Sequence, residues 1–133
     1  VIFSKNYLET IKKLKSFGEN VYFHQVIQKH NDKLSFFCDL PEAINNLLKN
    51  NLAKSDMIEW RIHFHVPVFL SKVDKIFFTQ EHISETLENI YNECKHFEVE
   101  TYTWNVLPEE LKTNDIVKSI TREISWILGR PGI

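Results

Sequence analysis

Apolar and ionisable side chains alternate along residues 59–69. Trp60, Ile62, Phe64 and Val66 fall on one side of an extended chain, and Arg61, His63 and His65 fall on the other. The same period recurs at 97–103, where Glu98, Glu100 and Tyr102 share one face. Both stretches are predicted as strands that carry paired ionisable groups into a protected face. Charges are seldom buried unless they are paired or bound to metal, so the pattern points to a site.

Helical periods separate these strands. Tyr7, Leu8, Ile11 and Leu14 predict a helix over 4–17, with lysines in its C-terminal half and Gly18 just beyond. Val21–Ile27 reads as a strand and Lys29–Lys33 as a polar turn. Leu34–Phe37 is either a short strand or the far side of a long loop. Asp39 is placed to cap the next helix, Pro41 suits its first turn, and Glu42 is placed to reach back. Its stripe is Ala43, Ile44, Leu47 and Leu48, and Asn50-Asn51 ends it. Pro67 is expected to end regular pairing of the histidine strand. Ser71–Phe78 reads as a loop with an apolar tip, and Thr79 as the cap of a helix with stripe Ile83, Leu87, Ile90, Tyr91 and Cys94. After a loop over 105–113, a last helix over about 114–128 is expected to bury Ile116, Val117, Ile120, Ile124 and Ile127. Gly129 and Pro131 terminate it.

Single helices between strands predict an α/β chain with a parallel sheet and right-handed crossovers. Two architectures satisfy that order: a small open sheet, or the C-terminal part of a (β/α)8 TIM barrel. A doubly wound open sheet is covered by helices on both faces and has near-continuously apolar strands. The polar faces at His63/His65 and Glu98/Glu100 therefore favour the barrel, whose inner face lines a site at the strand C-termini. A full barrel takes about 250 residues, so residues 1–133 are expected to form one α/β region, the C-terminal half of a longer domain. Half a barrel would expose a sheet edge and apolar interior, which predicts either self-association or a missing N-terminal half.

Composition narrows the function. A formal charge of −2 gives no basic footprint for nucleic acid. With 43% hydrophobic and 26% charged residues, the chain reads as soluble and globular. No apolar run reaches the roughly 20 residues of a membrane span, and no signal peptide is visible. Cys38 and Cys94 form no CxxC and read as free thiols, which fits a cytoplasmic location. The chain begins at Val1 rather than Met, as expected if sequence is missing upstream. No Gly-rich phosphate loop, GxSxG or HExxH occurs.

The segments Tyr22-Phe23-His24-Gln25-Val26, Cys38-Asp39-Leu40-Pro41-Glu42-Ala43, Glu59 through Phe69 and Glu98 through Trp104 occur in this order. In that order they resemble the C-terminal half of the EboE-like metabolite traffic proteins, which belong to the xylose-isomerase-like superfamily of TIM-barrel sugar phosphate isomerases and epimerases. The resemblance implies a divalent-metal site at the barrel mouth, with Mn, Zn, Co or Mg held by carboxylates and histidine. Its late-strand histidine matches His65, or else His63, and its last-strand glutamate matches Glu100, or else Glu98; the expected metal ligands are therefore His65, Glu100 and Glu98, and the expected catalytic pair is Glu100 with His63. The superfamily's earlier ligands lie on strands outside this chain, and Asn105 stands where the family often has aspartate.

Elementary geometry bears on these roles. Residues i and i+2 of a strand lie about 6.6 Å apart, whereas two donors on one ion lie about 3 Å apart. His63 and His65 therefore divide into one ligand and one orienting group, or are hydrogen-bonded interior histidines. Glu98 and Glu100 on one face repel unless a cation, a proton or Arg61 relieves them. His24, Arg61 and Trp104 are the candidate substrate contacts. Arg61 suits a phosphate or carboxylate, but deep on the strand it reads rather as a structural ion-pair partner, of Glu98; His24 reads equally as a strand-end hydrogen bond, and Trp104 rather as core. His30, His82 and His96 read as solvated. The expected function is a metal-dependent isomerase or epimerase acting on a sugar or similar polyhydroxylated metabolite. The alternatives are a non-enzymatic metabolite-binding or trafficking factor and a metal-dependent endonuclease of the same fold.

Overall fold

The protein is described by a computed structural model covering residues 1–3, 7–52, 57–100, 104–112 and 115–130. Its elements in chain order are β1 (Ile2–Phe3), α1 (Tyr7–Lys15), β2 (Val26–His30), β3 (Lys33–Phe37), α2 (Leu40–Lys49) and β4 (Ile58–Ile62), then β5 (Lys72–Val73), β6 (Ile76–Phe77), α3 (Gln80–Ile90) and α4 (Ile116–Leu128). Short 3-10 turns lie at Trp104–Val106 and Glu109–Leu111. The chain divides into two units, one of Val1–Phe64 with Asp74–Ile76, the other of His65–Val73 with Phe77–Ile133.

The first unit holds a four-stranded sheet in the order β1-β4-β2-β3, and every pairing is antiparallel. No described strands pair in parallel, so the expected α/β TIM-barrel architecture is corrected to a small mixed domain. The physical reason sits at Asn31-Asp32. Both residues have positive φ, 48° and 59°. That is the backbone of a two-residue type I′ turn, whose twist matches that of its flanking strands. Asn and Asp tolerate this region better than other non-glycine residues. The expected polar turn is therefore a tight hairpin, with His30 opposite Lys33 and Val26 opposite Phe37. α2 then carries the chain across β2, so β4 pairs with β2 rather than extending a parallel ladder.

Local signals in the first unit correspond to what forms. Asp39 Oδ1 accepts the Leu40 N–H at 2.8 Å, and Pro41 sits in the first turn of α2. Glu42 reaches back to the Cys38 N–H at 3.2 Å. Asn51 follows α2 with φ of 50°. The buried faces of α1 (Tyr7, Ile11, Leu14) and α2 (Leu40, Ala43, Ile44, Leu47) join Phe3, Val26, Ile58 and Trp60 in the core. Trp60 packs edge-on against Phe3, with ring centroids 4.6 Å apart. On the opposite face of the sheet Ile27, Leu34 and Phe36 are exposed, and β3 is its outer strand.

Residues 71–78, expected as a loop, form the β5–β6 hairpin, with Asp74 at φ 51° in its turn. Thr79 precedes α3 but makes no capping hydrogen bond through its side chain. α4 is helical where expected but turned. Ser119 and Glu123 are buried, whereas Ile116, Val117 and Ile124 are exposed. Each helical residue advances about 100°, so a rotation of less than one residue swaps an aliphatic stripe for a polar one. Residues 95–100 are not a strand. The rest of that expected strand, Thr101–Thr103 with Tyr102, lies outside the described residues, as do the starts expected at Ser4 and Asn114 and the Pro131 terminator. No helix among the described residues is long and apolar enough to cross a membrane.

Candidate functional site

β4 ends at Ile62, so the histidine pair does not share one strand face. The His63 N–H still donates to the Gln25 carbonyl at 3.0 Å, but the chain from His63 to Val68 runs outside the sheet. His63 is exposed and belongs to the first unit, whereas His65 is half-buried and belongs to the second. Arg61 is exposed, and its Nε lies 3.3 Å from Glu59, its neighbour on the same strand face; Arg61 belongs to the first unit and Glu98 to the second.

Within the second unit the chain brings His65 and Glu100 together. His65 Nδ1 lies 3.2 Å from Glu100 Oε2. That distance suits a shared proton. It also suits two donors on one divalent ion, which with bonds near 2.1 Å stand about 3.0–3.4 Å apart. Glu98 is exposed, and no group of three or more His, Cys, Asp or Glu side chains suited to a metal forms among the described residues. The pair thus fits part of a coordination sphere, not a closed cage. Trp104 is half-buried in the same unit, and its indole Nε1 is buried with no hydrogen-bond partner among the described residues.

His24, in the first unit, is buried between two carboxylates. Its Nε2 lies 3.8 Å from Glu19 and its Nδ1 3.7 Å from Asp39. Asp39 also accepts the His24 backbone N–H at 2.9 Å, while Glu19 accepts the N–H groups of Val21 and Tyr22. His24 lies ahead of β2 rather than on it, in a polar joint between the chain before β2 and the start of α2. Of the other histidines, His82 is exposed beside Glu85 at 3.4 Å, His96 is exposed, and His30 is half-buried against Asn31.

Glu123 is the residue that sequence reasoning missed. It is buried at 7% exposure, and its Oε2 accepts the Val68 N–H at 3.1 Å. Burial pushes its carboxyl above the usual range, opposed in part by that hydrogen bond. Beside it, Arg122 lies over the Phe69 ring, 4.0 Å from the centroid. The available signal was its position one turn after Ser119, which places both on a single side of α4.

Comparison with known proteins finds no matching family model, no matching curated protein and no matching solved structure.

Proposed function

We propose that this protein handles a small polyhydroxylated metabolite, a sugar or a close relative, through proton transfer at the His65–Glu100 pair. The observation that carries this reading is the 3.2 Å approach of His65 Nδ1 to Glu100 Oε2. A carboxylate at Nδ1 favours the tautomer with its proton there, which makes Nε2 the basic nitrogen. Such a nitrogen can take a proton from the carbon next to a carbonyl and return it to a neighbouring carbon, which is isomerisation, or to the opposite face, which is epimerisation. Alternatively, a divalent ion in place of that proton, held by His65 Nδ1 and Glu100, would polarise the carbonyl and acidify the carbon next to it; Nε2 would then carry the ring proton and would not be the base. With two protein donors, substrate oxygens and water would complete the ion's shell. The substrate class rests on the resemblance of residues 59–69 and 98–104 to the EboE-like proteins.

The test is proton exchange. The full chain is incubated in D2O with a panel of aldoses, ketoses and their phosphates, and deuterium wash-in beside the carbonyl is followed by NMR. Wash-in that falls at least about 100-fold in His65→Ala and Glu100→Gln supports the reading. No wash-in from any sugar, with the protein folded, removes it. Elemental analysis of wild type beside the double variant reads the metal: near-stoichiometric Mn, Zn or Co that the variant loses is expected.

A second reading is a metabolite-binding or trafficking factor that holds the same metabolite at the His65–Glu100 pair without turnover. Saturable sugar binding without deuterium exchange would distinguish it.

A further inference from the structure

We propose that Glu123 is the positioning residue of the His65–Glu100 pair, holding the His65 segment in place by clasping Val68. This rests on the reading of that pair as the functional site.

The segment that carries His65 has no sheet partner, since β4 ends at Ile62 and no described strand begins again before Lys72. Val68 supplies the anchor. Its N–H donates to Glu123 Oε2 on α4 at 3.1 Å, and its carbonyl accepts from Gln80 Nε2 on α3 at 3.1 Å. Two side chains from two helices thus hold both backbone groups of one residue. Pro67, buried just before it, has a fixed φ and no N–H of its own. Only Val66 and Pro67 stand between the anchored Val68 and His65, and the Pro67 φ is fixed, so the anchor limits where His65 can go. Arg122 on the Phe69 ring adds a second hold from α4 on the same stretch.

The choice of residue supports placement over plain stability. A carboxylate buried on α4 costs desolvation that a neutral acceptor would avoid, and burial raises its carboxyl above the ordinary range. In return the charged oxygen makes a stronger and better-aimed bond to the N–H.

The experiment uses the full chain labelled with 15N, in four forms: wild type, Glu123→Gln, Glu123→Leu and Glu100→Gln. Amide exchange reads the clasp at Val68, and the imidazole 15N signals of His65 read the pair. In Glu123→Leu the Val68 amide is expected to exchange about tenfold faster, as one charge-assisted hydrogen bond is lost. The His65 signals are expected to move to their Glu100→Gln positions. Glu123→Gln, which keeps an acceptor but not the charge, is expected to hold the His65 signals near wild type while its Val68 amide exchanges faster than in wild type and slower than in Glu123→Leu. His65 signals unmoved in Glu123→Leu but moved in Glu100→Gln would overturn the proposal. Should Glu123→Leu fail to fold, Gln80→Leu releases the other half of the clasp, and unmoved His65 signals there would overturn it equally. Signals unmoved in Glu100→Gln itself would instead sink the pair, leaving the clasp nothing to position.

Discussion

The antiparallel register of β2 on β4 makes one energetic statement that a parallel arrangement would not. It places Gln28 directly opposite Trp60 on the buried face. The Trp60 indole N–H donates to Gln28 Oε1 at 2.9 Å, with Trp60 0% and Gln28 4% exposed. Neither group reaches water, so deleting one partner strands the other. Gln28→Leu conserves most of the volume and leaves a buried N–H unpaired, at a cost of about 1–3 kcal/mol. Trp60→Phe strands the Gln28 carbonyl at a similar cost and adds roughly 1 kcal/mol for the smaller ring. The double variant strands nothing and carries only the packing loss. The singles should therefore sum to more than the double, with a coupling of at least about 2 kcal/mol. Urea unfolding followed by far-UV circular dichroism measures all four corners of the cycle without relying on the tryptophan signal. Independent sites add to within about 0.5 kcal/mol. A coupling that small would mean that the two side chains do not touch and that the β2–β4 register is wrong.

Leu47→Ala, at a fully buried position of α2, is expected to lower unfolding stability by about 3–5 kcal/mol in the same assay; a loss under 1 kcal/mol would place α2 outside the core. Asp39→Ala removes the cap of α2 and the acceptor of the His24 N–H, and a loss of about 1–2 kcal/mol is expected, with Asp39→Asn recovering much of it. Glu123 gives a pH dependence of definite sign. Its folded-state carboxyl is raised above 4.5 by burial, so the folded chain binds more protons than the unfolded one in the window above that value. Its stabilising contribution is therefore complete below the unfolded pKa and is lost as pH rises through the folded pKa. Melting temperatures from pH 4 to 7 should show the difference Tm(Glu123→Gln) minus Tm(wild type) rising with pH, and a difference that falls instead would contradict the burial.

The sequence by itself determined the helices, because their signals are local. The 3.6-residue stripes at Tyr7–Leu14 and Ala43–Leu47, the Asp39 cap and Pro41 act within a few residues of one another, and α1 and α2 form there. The period-two alternation through Trp60 likewise found β4 and its buried side. Direction and extent of pairing were not legible, because alternation looks the same in parallel and antiparallel ladders. That choice was made at Asn31-Asp32, two residues with positive φ that close a hairpin. Tertiary packing also ended β4 at Ile62, which separated His63 from His65. It turned α4 by less than a residue, so that Glu123 rather than the isoleucine stripe faces inward. The sequence did single out His65 and Glu100, as ionisable groups on apolar-patterned stretches. Their meeting at 3.2 Å comes from chain segments outside the sheet, not from adjacent strand ends. A side chain's type is fixed by its codon, but its partner is fixed by the path of the backbone. That path depends on contacts between residues far apart in the chain, which no local period records.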